Sequence, residues 1–202
     1  MFIKSTNNGV FFGLLDATGH GIPAAMLSIS GLLILNELSQ SLSLDNPKTL
    51  IELLNYRLYN TFNSARHSLA HFEGSIFHYS YRTNELIYSS ANGKLMYVDK
   101  EGNVTSLPVT KCSIGDKQKV NIENRTLSFE KGSKLVLFSD GLVDQFGGPS
   151  DRKFMTAQLR KLLADHHQLP APDLCKVILD SHTIWRGDNV QTDDLSFKII
   201  QF

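Results

Sequence analysis

Three segments of the chain place aspartate where an apolar run ends or begins. Asp16 closes Gly9-Val10-Phe11-Phe12-Gly13-Leu14-Leu15 and opens Asp16-Ala17-Thr18-Gly19-His20-Gly21-Ile22-Pro23. Asp140 follows Lys134-Leu135-Val136-Leu137-Phe138-Ser139 and precedes Gly141, and Asp193-Asp194 leads into Leu195 to Phe202. A carboxylate in such a place caps the next turn, stays solvated or holds a cation. Taken singly, each aspartate reads most simply as a cap, a turn residue or a solvated pair. In antiparallel neighbours, however, these strand ends can share one edge of a sheet. Hard divalent cations such as Mg²⁺ and Mn²⁺ take oxygen ligands from a few carboxylates plus water, so the set could hold one or two of them.

Other reactive residue types give weaker patterns. Lys94 follows Gly93, but no GxxxxGK surrounds it, which excludes a nucleotide P-loop. Cys112 and Cys175 form no CxxC pair, so neither a zinc knuckle nor a disulfide framework is expected and a reducing cytoplasm fits best. His166 and His167 fall at a helix end, where the dipole favours them.

The elements that must position the aspartates follow from periodicity. Gly9 to Leu15 reads as a strand buried on both faces, since its apolar residues do not alternate. Pro23 suits a first helical turn, and helix continues to about Ser41. The apolar stretch Ile22 to Leu35, about 14 residues, falls short of the roughly 20 that span a bilayer and predicts a buried helix. Asp45-Asn46-Pro47 begins an amphipathic helix from Lys48 to about Asn63. Strand-type segments follow at Ser75–Tyr81, Glu85–Ser90, Leu95–Asp99, Val104–Pro108 and Thr126–Glu130, with turn signals between them as in an antiparallel meander. Lys134–Ser139 is a further strand, Lys153–His166 and Asp173–Ile184 are helices, and Leu195–Phe202 is the last strand.

At 202 residues, 42% hydrophobic and 20% charged, the chain is expected to form one soluble domain. Its formal net charge of zero gives no sign of nucleic acid as a partner. No signal peptide and no membrane segment are expected.

Four ordered motifs carry a family resemblance: Asp16-Ala17-Thr18-Gly19-His20-Gly21-Ile22-Pro23-Ala24-Ala25, Ser90-Ala91-Asn92, Leu137-Phe138-Ser139-Asp140-Gly141-Leu142-Val143-Asp144-Gln145-Phe146-Gly147-Gly148 and Thr192-Asp193-Asp194-Leu195-Ser196. From about Phe11 onward they resemble the SpoIIE-type serine/threonine phosphatases, the bacterial branch of the metal-dependent PPM phosphatases. The resemblance implies an α+β fold, two antiparallel β-sheets packed as a sandwich and flanked by helices. It implies two ions, Mn²⁺ or Mg²⁺, shared by Asp16, with the Ala17 backbone carbonyl near the second and Asp140 and Asp193 on the first; Asp194 assists directly or through water. It implies hydrolysis of phosphoserine or phosphothreonine by a metal-activated water, without a phosphoenzyme. His20 is either a general acid for the leaving oxygen or a residue that orders the glycine turn. Asp144 and Asp188 are outer-shell residues or surface and turn residues.

The resemblance also implies a partner, a phosphorylated anti-anti-sigma (STAS-type) regulatory protein, and an upstream sensor domain. Relatives carry a Gly-Asp-Phe-Tyr strand pair upstream of the Asp16 strand, where about ten residues precede it here. Where they tend to read Asp-Gly-Met-Asp, this chain has Glu73-Gly74-Ser75-Ile76. The expectation is therefore residues 1–202 as a single phosphatase domain lacking its N-terminal strands. A sheet edge left bare in this way invites pairing with a second copy, and hence a homodimer. The rival reading is a degenerate phosphatase fold that binds a regulatory protein without turning it over.

Overall fold

The computed structural model describes residues 1–19, 21–41, 46–63 and 70–202. In chain order they form β1 (Phe2–Thr6), β2 (Gly9–Ala17), α1 (Ile22–Ser41), α2 (Pro47–Leu58), β3 (Phe72–Ser80), β4 (Leu86–Ala91), β5 (Lys94–Val98), β6 (Val104–Ser106), β7 (Arg125–Leu127), β8 (Lys134–Phe138), α3 (Asp140–Val143), β9 (Phe146–Gly147), β10 (Arg152–Lys153), α4 (Met155–Asp165), α5 (Ala171–Arg186) and β11 (Phe197–Gln201). They fall into two compact units, Met1–Gly93 with Val109–Ser128, and Lys94–Pro108 with Phe129–Phe202.

The first unit is built on an antiparallel sheet ordered β1-β2-β3-β4-β7. β1 is a strand that the sequence reading did not anticipate. Its residues alternate, with Phe2 buried and Ile3 exposed, and the Asn7-Asn8 turn returns the chain so that Thr6 faces Gly9. The Thr6 hydroxyl donates to the Gly9 carbonyl at 3.1 Å. β1 thereby pairs with the edge of β2 that was expected to lie bare, and β1 itself becomes the edge strand of the sheet. β2 is also less enclosed than expected: Phe11 is fully buried, while Phe12 is half-buried and stacks on Phe77 at 5.1 Å.

Helices α1 and α2 cover this sheet. Asn46 caps α2 by accepting from the Thr49 N–H, Pro47 occupies the first turn, and Leu50, Ile51, Leu54 and Leu58 are fully buried. A π-helical turn, Tyr59–Asn63, follows. Burying four such side chains removes apolar surface worth roughly 1.5–3 kcal/mol each. α1 contributes Leu27, Leu35 and Leu38 to the same core. It is not buried all round, because Ile22, Met26, Ile29 and Leu33 face solvent. Its apolar window also runs further than the sequence reading counted: Ile22–Ser39 has a mean hydropathy of 1.5 over 18 residues, by length and composition enough to cross a membrane.

The second unit carries the antiparallel sheet β11-β8-β5-β6. Every residue of β8 is buried, including Lys134, whose ammonium donates to the His167 carbonyl while burial pushes its pKa down. Leu159 and Leu163 of α4 and Leu174 and Ile178 of α5 pack with Met96, Val98, Val136 and Ile199. β9 and β10 form a short hairpin beside α5, where the Trp185 Nε1–H donates to the Arg152 carbonyl at 3.1 Å.

Candidate functional site

The second unit brings three of the expected residues into one loop cluster. Asp140 is the first residue of α3, directly after β8, and Asp193-Asp194 lies in the segment before β11. Because β11 pairs antiparallel with β8, Phe197 opposite Phe138, the chain entering β11 passes the chain leaving β8. Side chains on both sides of Asp140 fasten the two segments together. The Ser139 hydroxyl donates to the Asp194 carbonyl at 3.1 Å and accepts the Ser196 N–H at 3.0 Å, and the Ser139 N–H donates to the Ser196 carbonyl at 2.8 Å. Gln145, fully buried, donates to the Phe146 and Val190 carbonyls at 3.0 Å each and accepts the Thr192 N–H at 3.1 Å. Gly141 is needed for the approach: a Cβ there would lie 2.3 Å from the Asp194 carbonyl oxygen.

Within this cluster Asp140 is half-buried and Asp193 and Asp194 are exposed. Asp193 Oδ1 accepts the Asp194 N–H at 2.7 Å, and the Gln191 amide donates to the Asp193 carbonyl at 2.8 Å. Lys94, at the start of β5 opposite Phe138, sets its ammonium 3.5 Å from Asp140 Oδ2. Behind the cluster His182 of α5 is buried, with its Nε2 unpartnered among the described residues. Burial and the nearby Arg186 charge lower its pKa, against a hydrogen bond with the Gly141 backbone. Asp144 is drawn away to an ion pair with Lys153 at 2.9 Å, and Asp188 is exposed just beyond the end of α5.

In the first unit Asp16 is held by strand register. It is the penultimate residue of β2 and faces Glu73 of β3, with Leu15 facing Gly74. Glu73 accepts the Asn92 amide at 2.9 Å. Two carboxylates directly opposite across an antiparallel pair repel unless a donor or cation lies between them. A Cβ at Gly74 would lie 2.2 Å from the Leu14 carbonyl oxygen, so glycine is required for β2 and β3 to run this close. Beyond Ala17 the Thr18 N–H and hydroxyl both donate to the His71 carbonyl, at 3.0 and 2.8 Å. His20 lies outside the described residues.

Each unit thus offers partly accessible carboxylate oxygens, and oxygen-only donors fit a hard cation such as Mg²⁺ or Mn²⁺. Among the described residues, no three His, Cys, Asp or Glu side chains are already gathered as a metal group. A cysteine nucleophile has no support, since burial raises the pKa of both Cys112 and Cys175 and disfavours the thiolate. The sequence reading missed Glu73 opposite Asp16 and the fastening by Ser139 and Gln145. All three stood in quoted segments, but their partners lie far away along the chain.

The fold is that of the PP2C phosphatase domains. The SiaA PP2C domain of Pseudomonas aeruginosa superposes with a TM-score of 0.88 at 21% identity, over 100% of this chain and 79% of that one. The SpoIIE phosphatase domain of Bacillus subtilis, solved with a fragment of its regulatory domain, gives 0.77 at 13% identity, over 100% and 57%. RsbX in complex with magnesium gives 0.66 at 18%, over 98% and 83%. The α+β architecture expected from the sequence is therefore present. The chain belongs to the SpoIIE family: the model for Stage II sporulation protein E matches residues 6–202. It is 24% identical over 189 residues to the phosphoserine phosphatase RsbP of Bacillus subtilis strain 168, covering 93% of this chain and 44% of RsbP. The chain therefore spans less than half the length of that curated relative.

Proposed function

We propose that residues 1–202 act as one phosphatase domain that hydrolyses phosphoserine or phosphothreonine on a regulatory protein of the STAS type, in the cytoplasm and under a sensor elsewhere in a longer protein. Membership of the SpoIIE family and the likeness to a phosphoserine phosphatase support the reaction class. The observation that carries the reading is the fastening of Asp140 to the Asp193-Asp194 segment through Ser139, Gly141 and Gln145. A buried glutamine and a close glycine contact spent on two surface aspartates are hard to explain as turn chemistry alone.

Asp16, the Ala17 carbonyl, Asp140 and Asp193, with Asp194 assisting, would hold Mn²⁺ or Mg²⁺, in the family manner two ions. When bound, the metal supplies an activated water and offsets charge on the phosphoryl oxygens. The protein's own part is positional. Ser139 and Gln145 hold the Asp193 segment against Asp140, the β2–β3 register presents Asp16 beside Glu73, and His20 is either the acid for the departing serine or threonine oxygen or the residue that orders the glycine turn.

A second reading, a phosphatase fold that binds a regulatory protein without catalysis, is favoured by one observation, the Lys94 ammonium against Asp140. One assay separates the two: hydrolysis of p-nitrophenyl phosphate and of a phosphoserine peptide with added Mn²⁺, by this chain and by its Asp140→Asn variant. The enzyme reading expects turnover that falls about a hundredfold or more in the variant. Equal rates, or none above buffer, would leave the binding module.

A further inference from the structure

One basic side chain enters the carboxylate cluster of the second unit, and packing does not account for it. Lys94 is the first residue of β5 and pairs with Phe138, two residues before Asp140. Paired residues share a face, and alternation puts Lys94 in one row with Met96 and Val98, both buried in the core with Leu159 and Ile178. An apolar residue would complete that row. Lysine instead brings its ammonium to 3.5 Å from Asp140 Oδ2. Among the described residues it is the one basic group within ion-pair distance of Asp140, Asp193 or Asp194. The pair contributes little to stability: with side chains 32% and 41% exposed it is screened and readily exchanged.

We propose that Lys94 binds the phosphoryl group of the substrate, and that it holds Asp140 only until a divalent ion takes that carboxylate over. The proposal rests on the phosphatase reading above. Charge is the first argument. The cluster gathers Asp140, Asp193 and Asp194 around one ammonium, and a phosphate monoester brings close to two further negative charges at neutral pH. An ammonium is a compact point charge with three donors, suited to phosphoryl oxygens arriving from solvent. Reach is the second argument. The β5–β8 pairing fixes the backbone of Lys94, while its flexible four-carbon stem lets the charge move without moving the strand. A divalent ion on Asp140 repels the ammonium, which then turns to the nearest anion, the phosphoryl group. The same side chain thus acts oppositely on two ligands: it weakens metal binding and strengthens phosphate binding. A lysine that blocks the site would weaken both, and a lysine that merely pairs at the surface would alter neither.

The test is calorimetric binding of Mn²⁺, and then of inorganic phosphate to the Mn²⁺-loaded protein, for the parent chain, Lys94→Met, Lys94→Arg and Lys100→Met. Lys100 is exposed in the second unit, paired with Glu130, and serves as the control for loss of a surface charge. Methionine keeps the lysine stem and suits the row of Met96 and Val98, so the thermal midpoint should stay near the parental value. In Lys94→Met the proposal expects Mn²⁺ to bind roughly tenfold more tightly, because a unit charge a few ångströms from a divalent ion is gone. It expects phosphate to bind roughly tenfold more weakly, and KM for p-nitrophenyl phosphate to rise by a similar factor with kcat much less affected. Lys94→Arg, which keeps the charge, and Lys100→Met should stay within about threefold of the parent throughout. Unchanged Mn²⁺ affinity in Lys94→Met would overturn the proposal, as would tighter Mn²⁺ binding without a loss of phosphate affinity, which would make Lys94 a block. A parent chain that binds no Mn²⁺ would instead defeat the phosphatase reading itself, and the proposal with it.

Discussion

The two units position their carboxylates by different means. In the second, Asp140 and Asp193 come from segments more than fifty residues apart and are held by side chains: a serine, a buried glutamine and a glycine contact. In the first, Asp16 is placed by the β2–β3 ladder, one step from the strand end, with Glu73 opposite. A ladder fixes a residue through many equivalent backbone bonds, so no single side chain is decisive. A loop cluster has no such redundancy. Its geometry depends on a few groups, and these are where substitutions should bite.

Gly141→Ala should have the largest structural effect. Its Cβ would meet the Asp194 carbonyl at 2.3 Å, backbone against backbone, and relief requires the two segments to part. We expect a loss of about 1–3 kcal/mol of stability and a fall in metal affinity, measured by chemical denaturation and by Mn²⁺ titration. A variant with parental stability and metal binding would show that the close contact positions nothing.

Gln145→Leu comes next. It keeps the volume but strands the Thr192 N–H and the Val190 carbonyl, at a cost of about 1–3 kcal/mol. Hydrogen exchange should quicken in residues 190–194 and stay unchanged in β2 and β3. Glu73→Gln in the first unit is the counterpart, and should leave exchange in β2 unchanged because register holds Asp16. Equal loosening in both variants would erase the distinction between the units.

The smallest effect concerns His182. Its pKa lies below the ordinary 6.5 through burial and the Arg186 charge, so the folded state keeps the ring neutral while the unfolded chain accepts a proton. Its contribution is therefore complete above pH 6.5 and is lost as pH falls below that value toward the folded pKa. The thermal midpoint of the parent should drop over this range by more than that of His182→Gln. Parallel curves would assign the acid sensitivity to other groups.

Sequence legibility followed the same division. The start of α2 was visible because Asn46-Pro47 is local capping chemistry, and the β8 and β11 strands were visible as apolar runs. Asp16, Asp140 and Asp193 stood out because a charge at the end of an apolar strand is conspicuous. What holds them was not visible: Ser139 and Gln145 find partners 55 and 47 residues away, and Glu73 meets Asp16 only once register is known. β1 was overlooked because its alternation rests on Phe2 and Ile3 alone, although the Asn7-Asn8 turn was there to be read. The exposure of one face of α1 could not be inferred, since leucine and isoleucine lie on nearly every side of it and no face stands out.

The central claim is that Asp140 belongs to a metal-dependent phosphatase site. Its most direct test is the Mn²⁺ dependence of phosphoserine-peptide hydrolysis by the parent chain and by Asp140→Asn. The account predicts activity that appears with Mn²⁺, disappears with chelator and falls about a hundredfold or more in the variant. Activity indifferent to Mn²⁺, or equal in the two proteins, would contradict it.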